Sequence, residues 1–206
     1  MSVFGWIIIQ QRLGYTFDWH LPWADYKAGF GSIDADFWLG LEKMHLLTSS
    51  QPYRLRVEVQ QRSTNLWYSA EYWSFKIGDE LNDKYRLEVA GYSGDAGDSL
   101  QYEGDYGNDD DDDDDDDERL MGLCVEQYEG DHNGNLRFGR YYHNGMNFTT
   151  YDHDNDQDGV NCATGRGGGW WYNSCFWACL TCHAAHFEWY SDVGYAVNSR
   201  MMVKRQ

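Results

Sequence analysis

Asp152, Asp154, Asp156 and Asp158 stand at every second position, and Gly159 follows. Cys162 and Cys175 then bracket a glycine run and the aromatics Trp170, Trp171 and Tyr172. Carboxylates this close repel one another unless something neutralises them. A hard cation with oxygen ligands does so, and calcium tolerates the irregular geometry of a loop. The stretch reads as a calcium-ordered recognition loop rather than a catalytic centre.

At 206 residues the chain is long enough for one domain with a substantial core. Its 10 Trp, 16 Tyr and 9 Phe supply both core and binding surface. The formal charge of −18 argues against nucleic acid as a partner, because phosphate binding needs a basic footprint. Residues 102–141 carry 15 acids against three bases, or −12, leaving −6 for the rest. Nine of those acids, Asp109 to Asp117, are consecutive, so this stretch is expected to be a solvated, disordered insertion. No segment is apolar for long enough to span a membrane. The N-terminus lacks the basic region and cleavage site of a signal peptide and reads as a strand instead.

Val3 to Gln11 is rich in β-branched and aromatic residues and reads as a buried strand. Pro22 and Gly29 bracket a short helix, and Leu41 to Leu47 carries apolar residues at helical spacing. Tyr53, Leu55, Val57 and Val59 alternate with charged residues, the mark of a half-buried strand. Leu66–Ile77, Tyr85–Val89 and Tyr195–Lys204 read as further strands. Strands outnumber helices and connections are too short for repeated crossovers, so the expected class is α+β with an antiparallel or mixed sheet.

Several segments together resemble the fibrinogen-related domain, the C-terminal globular module of fibrinogen chains, ficolins, tachylectins, tenascins and angiopoietins. They are Gly5-Trp6, Ile9 to Arg12, Trp23, Tyr26 to Gly31, Phe37 to Gly40, Tyr53 to Val57, and Tyr92 to Leu100. After the acidic stretch come His143 to Phe148, Asp152 to Asp156, Asn161 to Ala163, and Gly168 to Tyr172. Their order is collinear. The resemblance implies a central twisted, mainly antiparallel sheet with short helices (1–101 and 142–150). A loop-rich calcium and ligand lobe (151–194) follows, and a last strand (195–206) returns to the sheet. It implies a secreted, extracellular product, oligomerised through segments outside this chain. The family's N-terminal subdomain is absent, 102–141 is an insertion, and Cys175 to Trp189 is about nine residues short.

By motif position the resemblance implies calcium held by the side chains of Asp154 and Asp156 and the carbonyls of Asp158 and Val160. An EF-hand begins similarly, but its twelfth position here is Gly165 rather than Glu. The resemblance pairs Cys162 with Cys175 and makes the Ser174–Cys175 peptide cis. It also implies a pocket for an acetyl group, with the backbone N–H groups of Cys175 and Phe176 as donors. Arg166, Phe176, His183 and Ala184 stand where the family places its specificity side chains. Acetylated or related glycans are the implied ligands of an innate-immune lectin, and a protein receptor is the alternative partner. Cys179-x-x-Cys182-His183 shares spacing with zinc and haem motifs, but neither fits the family context, which leaves an extra disulfide across a shortened loop or a mispairing hazard. No nucleophile, base and orienting group fall together, so no catalytic activity is expected.

Overall fold

A computed structural model describes residues 2–3, 5–101, 142–176, 178–190 and 192–206. The acidic stretch 102–141, including Cys124, lies outside the described residues.

Strand β1 (Ser2–Val3) turns back at Gly5 to pair with β2 (Trp6–Leu13). The first helix, α1 (Trp23–Ala28), starts after Pro22 and stops at Gly29, as the proline and glycine positions require. Short strands β3 (Phe30–Gly31) and β4 (Phe37–Trp38) lead into α2 (Leu41–Ser50). β5 (Tyr53–Gln61) buries Tyr53, Leu55, Val57 and Val59, and its intervening residues are less buried, matching the alternation in the sequence. β6 (Trp67–Ile77) follows, then the one-turn helix α3 (Glu80–Asp83), capped by the Asp79 side chain, which accepts from Asn82 N at 2.8 Å.

The strand expected from Tyr85 starts instead at Leu87, as β7 (Leu87–Gly94). Lys84 and Tyr85 have φ of 46° and 56°, a left-handed conformation that no strand can hold. The turn drops the Tyr85 ring into the core, where its hydroxyl donates to Glu42 Oε2 at 2.6 Å.

Beyond the acidic stretch lie α4 (Cys162–Arg166), β8 (Ala178–Cys179), a 3-10 turn at Ala184–His186, β9 (Glu188–Trp189) and β10 (Gly194–Arg205). The principal sheet runs β3-β4-β2-β10-β5-β6-β7, and every described pairing is antiparallel. The last strand thus enters the centre of the sheet, between β2 and β5. Met201 and Val203 face the core from it.

An aromatic cluster joins sheet and lobe. Trp38, Phe148 and Trp171 are fully buried, with Phe148 edge-on to Trp171 at 5.1 Å and Trp38 6.1 Å from Trp171. Tyr26 meets Trp38 edge-on at 5.5 Å. Such pairs contribute roughly 0.5–1.5 kcal/mol each beyond their buried area. They give the lobe, otherwise short of regular structure, a rigid floor. His143 fastens that floor to the pocket strand: its Nδ1 lies 2.7 Å from Trp171 O, and its Nε2 accepts from Ala178 N at 2.9 Å.

Candidate functional site

The acidic loop is anchored at both ends by asparagines. Asn155 Nδ2 donates to Phe148 O at 2.8 Å, and Asn161 Nδ2 donates to Thr150 O at 3.0 Å. Asn161 also caps α4 by accepting from Thr164 N at 3.1 Å. Between these anchors each aspartate accepts from the backbone two residues on. Asp154 Oδ1 takes Asp156 N at 3.4 Å, Asp156 Oδ1 takes Asp158 N at 3.0 Å, and Asp158 Oδ1 takes Val160 N at 3.1 Å. Asp156 Oδ2 further accepts from Cys162 N at 2.9 Å. Val160, an apolar residue, is 72% exposed, so its side chain contributes little to packing.

No lysine, arginine or histidine pairs with Asp154, Asp156 or Asp158 among the described residues. Burial, together with the charges of Asp154 and Asp158, pushes the Asp156 carboxyl up to about 6. A loop of hard oxygen donors with no counter-charge has the chemistry that suits calcium. Asp158 also lies within 4.8 Å of both Cys162 Sγ and Cys175 Sγ. Those sulfurs are joined in a disulfide and are not thiolate ligands, so the metal-binding character belongs to the carboxylates.

The Cys162–Cys175 disulfide closes the loop that carries the glycine run. Gln157 N donates to Asn173 O at 3.0 Å, and Ser174 Oγ donates to Asp158 Oδ2 at 2.8 Å. The carboxylate loop and the disulfide loop are thereby tied side by side. The Ser174–Cys175 peptide, expected to be cis, is trans like every other described bond. The trans amide avoids a cost of about 3 kcal/mol, and Asn173 N closes the turn by donating to Cys175 O at 3.0 Å. Among the described residues the Cys175 and Phe176 N–H groups have no acceptor.

Of the side chains singled out in the sequence, Arg166 meets Phe176 directly and His183 is linked to Arg166 through the backbone. The Arg166 guanidinium stands 4.9 Å over the Phe176 ring, and Arg166 O accepts from His183 N at 2.8 Å. His183 is exposed and starts the 3-10 turn in which Ala184 lies. Two residues not singled out as ligand-binding join the group. His186 meets Phe176 edge-on at 5.9 Å, and burial with the nearby Arg166 and His183 lowers its pKa. Glu188 is pushed up to about 7 by burial, against the pull of Arg166. The signal for His186 was its spacing from His183. Glu188 carried none, because its burial arises from pairing between β9, β8 and β10.

Cys179 and Cys182 form a second disulfide, which removes the zinc and haem readings of that motif. The Tyr172 hydroxyl lies 2.9 Å from Cys182 Sγ. Among the described residues no catalytic dyad accompanies these groups, which two disulfides bound.

Sheet order, disulfide loop and acidic loop together define a fibrinogen-like globular domain, a ligand-binding class and not an enzyme. The family model for the C-terminal globular domain of fibrinogen beta and gamma chains matches residues 2–197, and the chain belongs to this family. It is 36% identical to fibrinogen-like protein A of Apostichopus parvimensis, over 83% of this chain and 47% of that protein. It is 37% identical to the human fibrinogen gamma chain, over 89% of this chain and 34% of that one. The chain therefore spans less than half the length of these relatives. The fibrinogen-like globe domain of human ANGPTL2 superposes with a TM-score of 0.71 at 29% identity, covering 98% of this chain and 80% of that one. A lamprey fibrin D-dimer complexed with the peptide Gly-His-Arg-Pro-amide superposes with a TM-score of 0.70 at 28% identity, over 96% of this chain and 60% of that one. No helix among the described residues is long and apolar enough to cross a membrane.

Proposed function

We propose that this chain is a calcium-dependent extracellular recognition module that binds acetylated carbohydrate through the loop closed by Cys162 and Cys175. The observation that supports the reading is the pair of N–H groups at Cys175 and Phe176 that have no acceptor among the described residues, on a segment tied through Ser174 and Asp158 to a carboxylate loop without an ion-pair partner among those residues. The side chains of Asp154 and Asp156 and the carbonyls of Asp158 and Val160 hold the calcium. When bound, the ion neutralises the loop and fixes its shape. The two N–H groups grip the acetyl oxygen, and Phe176 walls the methyl group. Arg166, His183 and Ala184 line the approach. Two disulfides fit an oxidising compartment.

The test is retention on an acetylated resin in calcium, followed by elution with chelator. Passage of folded, calcium-loaded protein straight through the column rejects the reading. A second reading, recognition of a protein or peptide, is favoured by the peptide-bound lamprey domain that superposes on this chain. A partner that free acetylated sugar fails to displace would select it.

A further inference from the structure

A cavity of about 290 Å³ lies between the end of β2 and the 182–184 segment, lined by Arg12, Tyr15, Phe17, Asp18, Trp19 and His183, among others. We propose that it is a second binding site, for a carboxylate-bearing monosaccharide such as a uronic acid.

Arg12 is 1% exposed. Its Nε donates to Gly14 O at 3.0 Å, and Nη1 donates to the carbonyls of Leu180 and Cys182. Nη2 has no acceptor among the described residues. Among the described residues no carboxylate lies within ion-pair distance, and Asp36, which acts on Arg12 from further off, is engaged by Leu13 N at 2.6 Å. Burial lowers the Arg12 pKa to about 10, which leaves it charged at neutral pH. A buried charge without a counter-ion is costly, and carbonyl dipoles offset only part of that cost.

Trp19 supplies a second unpaired donor. It is 2% exposed, its Nε1 has no hydrogen-bond partner, and its ring lies 5.8 Å from the Arg12 guanidinium. Two neighbouring residues on one wall thus each hold an unused N–H, and one of them is cationic. A carboxylate offers two oxygens and one negative charge, so it matches this pair. A neutral acetyl group offers one acceptor and no charge.

The remaining walls select a sugar. Phe17 and Tyr15 contribute aromatic surface to the cavity's lining. Asp18 uses Oδ1 to accept from His20 N at 2.9 Å and keeps Oδ2 for a sugar hydroxyl. The volume is at the lower limit of ligand pockets, which begin at about 300 Å³, and suits one ring rather than a chain. This cavity shares His183 and Ala184 with the surface around Phe176, and its Gly167 follows Arg166, but Arg12 and Trp19 belong to the cavity alone, so the proposal does not depend on acetyl binding.

Titration of the isotopically labelled chain with glucuronate, glucose and methyl glucuronate ester tests it, with tryptophan indole N–H signals as the readout. Glucuronate is expected to saturate with a shift of the Trp19 indole signal, and the two uncharged sugars to bind at least ~10-fold more weakly. Trp19→Phe removes the orphan N–H and keeps an aromatic ring; with its fold checked by the dispersion of its amide spectrum, it is expected to lose ~10-fold in glucuronate affinity. N-acetylglucosamine is expected not to compete. Equal binding of glucose, unchanged affinity in folded Trp19→Phe, or no saturation by about 50 mM glucuronate would each overturn the proposal.

Discussion

The Ser174 hydroxyl donates to Asp158 Oδ2 at 2.8 Å, across a sequence separation of 16. With the Gln157 N–H donating to Asn173 O, it couples a loop suited to a metal to a loop suited to a ligand. An ion that draws the carboxylates together pulls on Asp158, and Asp158 holds Ser174 one residue before Cys175. Coupling of this kind is reciprocal: a ligand that orders Cys175 also tightens the ion.

Calcium at about 100 times its Kd is expected to stabilise the chain by ~2.7 kcal/mol, or roughly 5–10 °C in Tm. Asp156→Asn should lose most of that shift. Ser174→Ala should keep it, because Ser174 is not a ligand. The separating measurement is the response of the Cys175 and Phe176 amide signals to calcium. They are expected to move in the wild type and to stay in place in Ser174→Ala. An equal response in both would break the proposed link.

The two disulfides are expected to differ in worth. Cys162–Cys175 spans a separation of 13, and Cys179–Cys182 spans 3. Loop-closure entropy gives about 3 kcal/mol for the longer loop and about 2 for the shorter. Denaturant midpoints of the paired Cys→Ser variants measure this. The longer-loop variant should also lose calcium sensitivity, because the disulfide fixes the position of residue 162, whose backbone N–H donates to Asp156 Oδ2.

Glu188 makes a pH dependence that one substitution isolates. Burial raises its folded pKa from 4.5 to about 7. The protonated form is therefore favoured in the fold, so the stability it confers is complete below pH 4.5 and is lost as pH rises through about 7. Glu188→Gln should match the wild type at pH 4.5 and exceed it by ~2 kcal/mol above pH 7, after allowance for partial exposure. His143 works in the opposite sense. Burial lowers it from 6.5 to about 4, so its contribution is present above pH 6.5 and is lost as pH falls towards 4. Thermal melts of both proteins from pH 4 to 8 give the difference curve. A flat difference would show that Glu188 ionises freely in the fold.

What the sequence made legible was local. The alternation of Tyr53 to Val59 gave β5, and Pro22 with Gly29 gave α1, because period and backbone restriction act within a few residues. The aspartate spacing marked the acidic loop for the same reason. Positive φ at Lys84 and Tyr85 was not legible, since neither residue favours it alone; the core contact of the Tyr85 ring selects it. The Phe176 surroundings were legible only in part. Arg166, His186 and Glu188 come from a helix end, a 3-10 turn and a strand, and only the folded chain brings them near one ring or one another. Nothing in the spacing of Arg12 and Trp19 reveals that each keeps an N–H without an acceptor among the described residues.

The glycine run offers a sharp contrast within one loop. A Cβ on Gly168 would sit 2.0 Å from Thr181 O and 2.7 Å from its carbonyl carbon, both backbone atoms that cannot step aside. The neighbouring chain is held there by Thr181 Oγ1, which donates to Gly169 O, and by the Cys179–Cys182 disulfide. Gly168→Ala must therefore push the 179–182 segment away from the pocket floor, at a cost of ~3 kcal/mol or more by the usual scale of overpacking. A Cβ on Gly165, three residues earlier in α4, meets nothing within 4 Å, and its φ is not positive. Gly165→Ala should be neutral or stabilise the helix by up to ~1 kcal/mol. Chemical denaturation of the two variants compares them directly. Similar midpoints would mean that the 179–182 segment is not held against the glycine run.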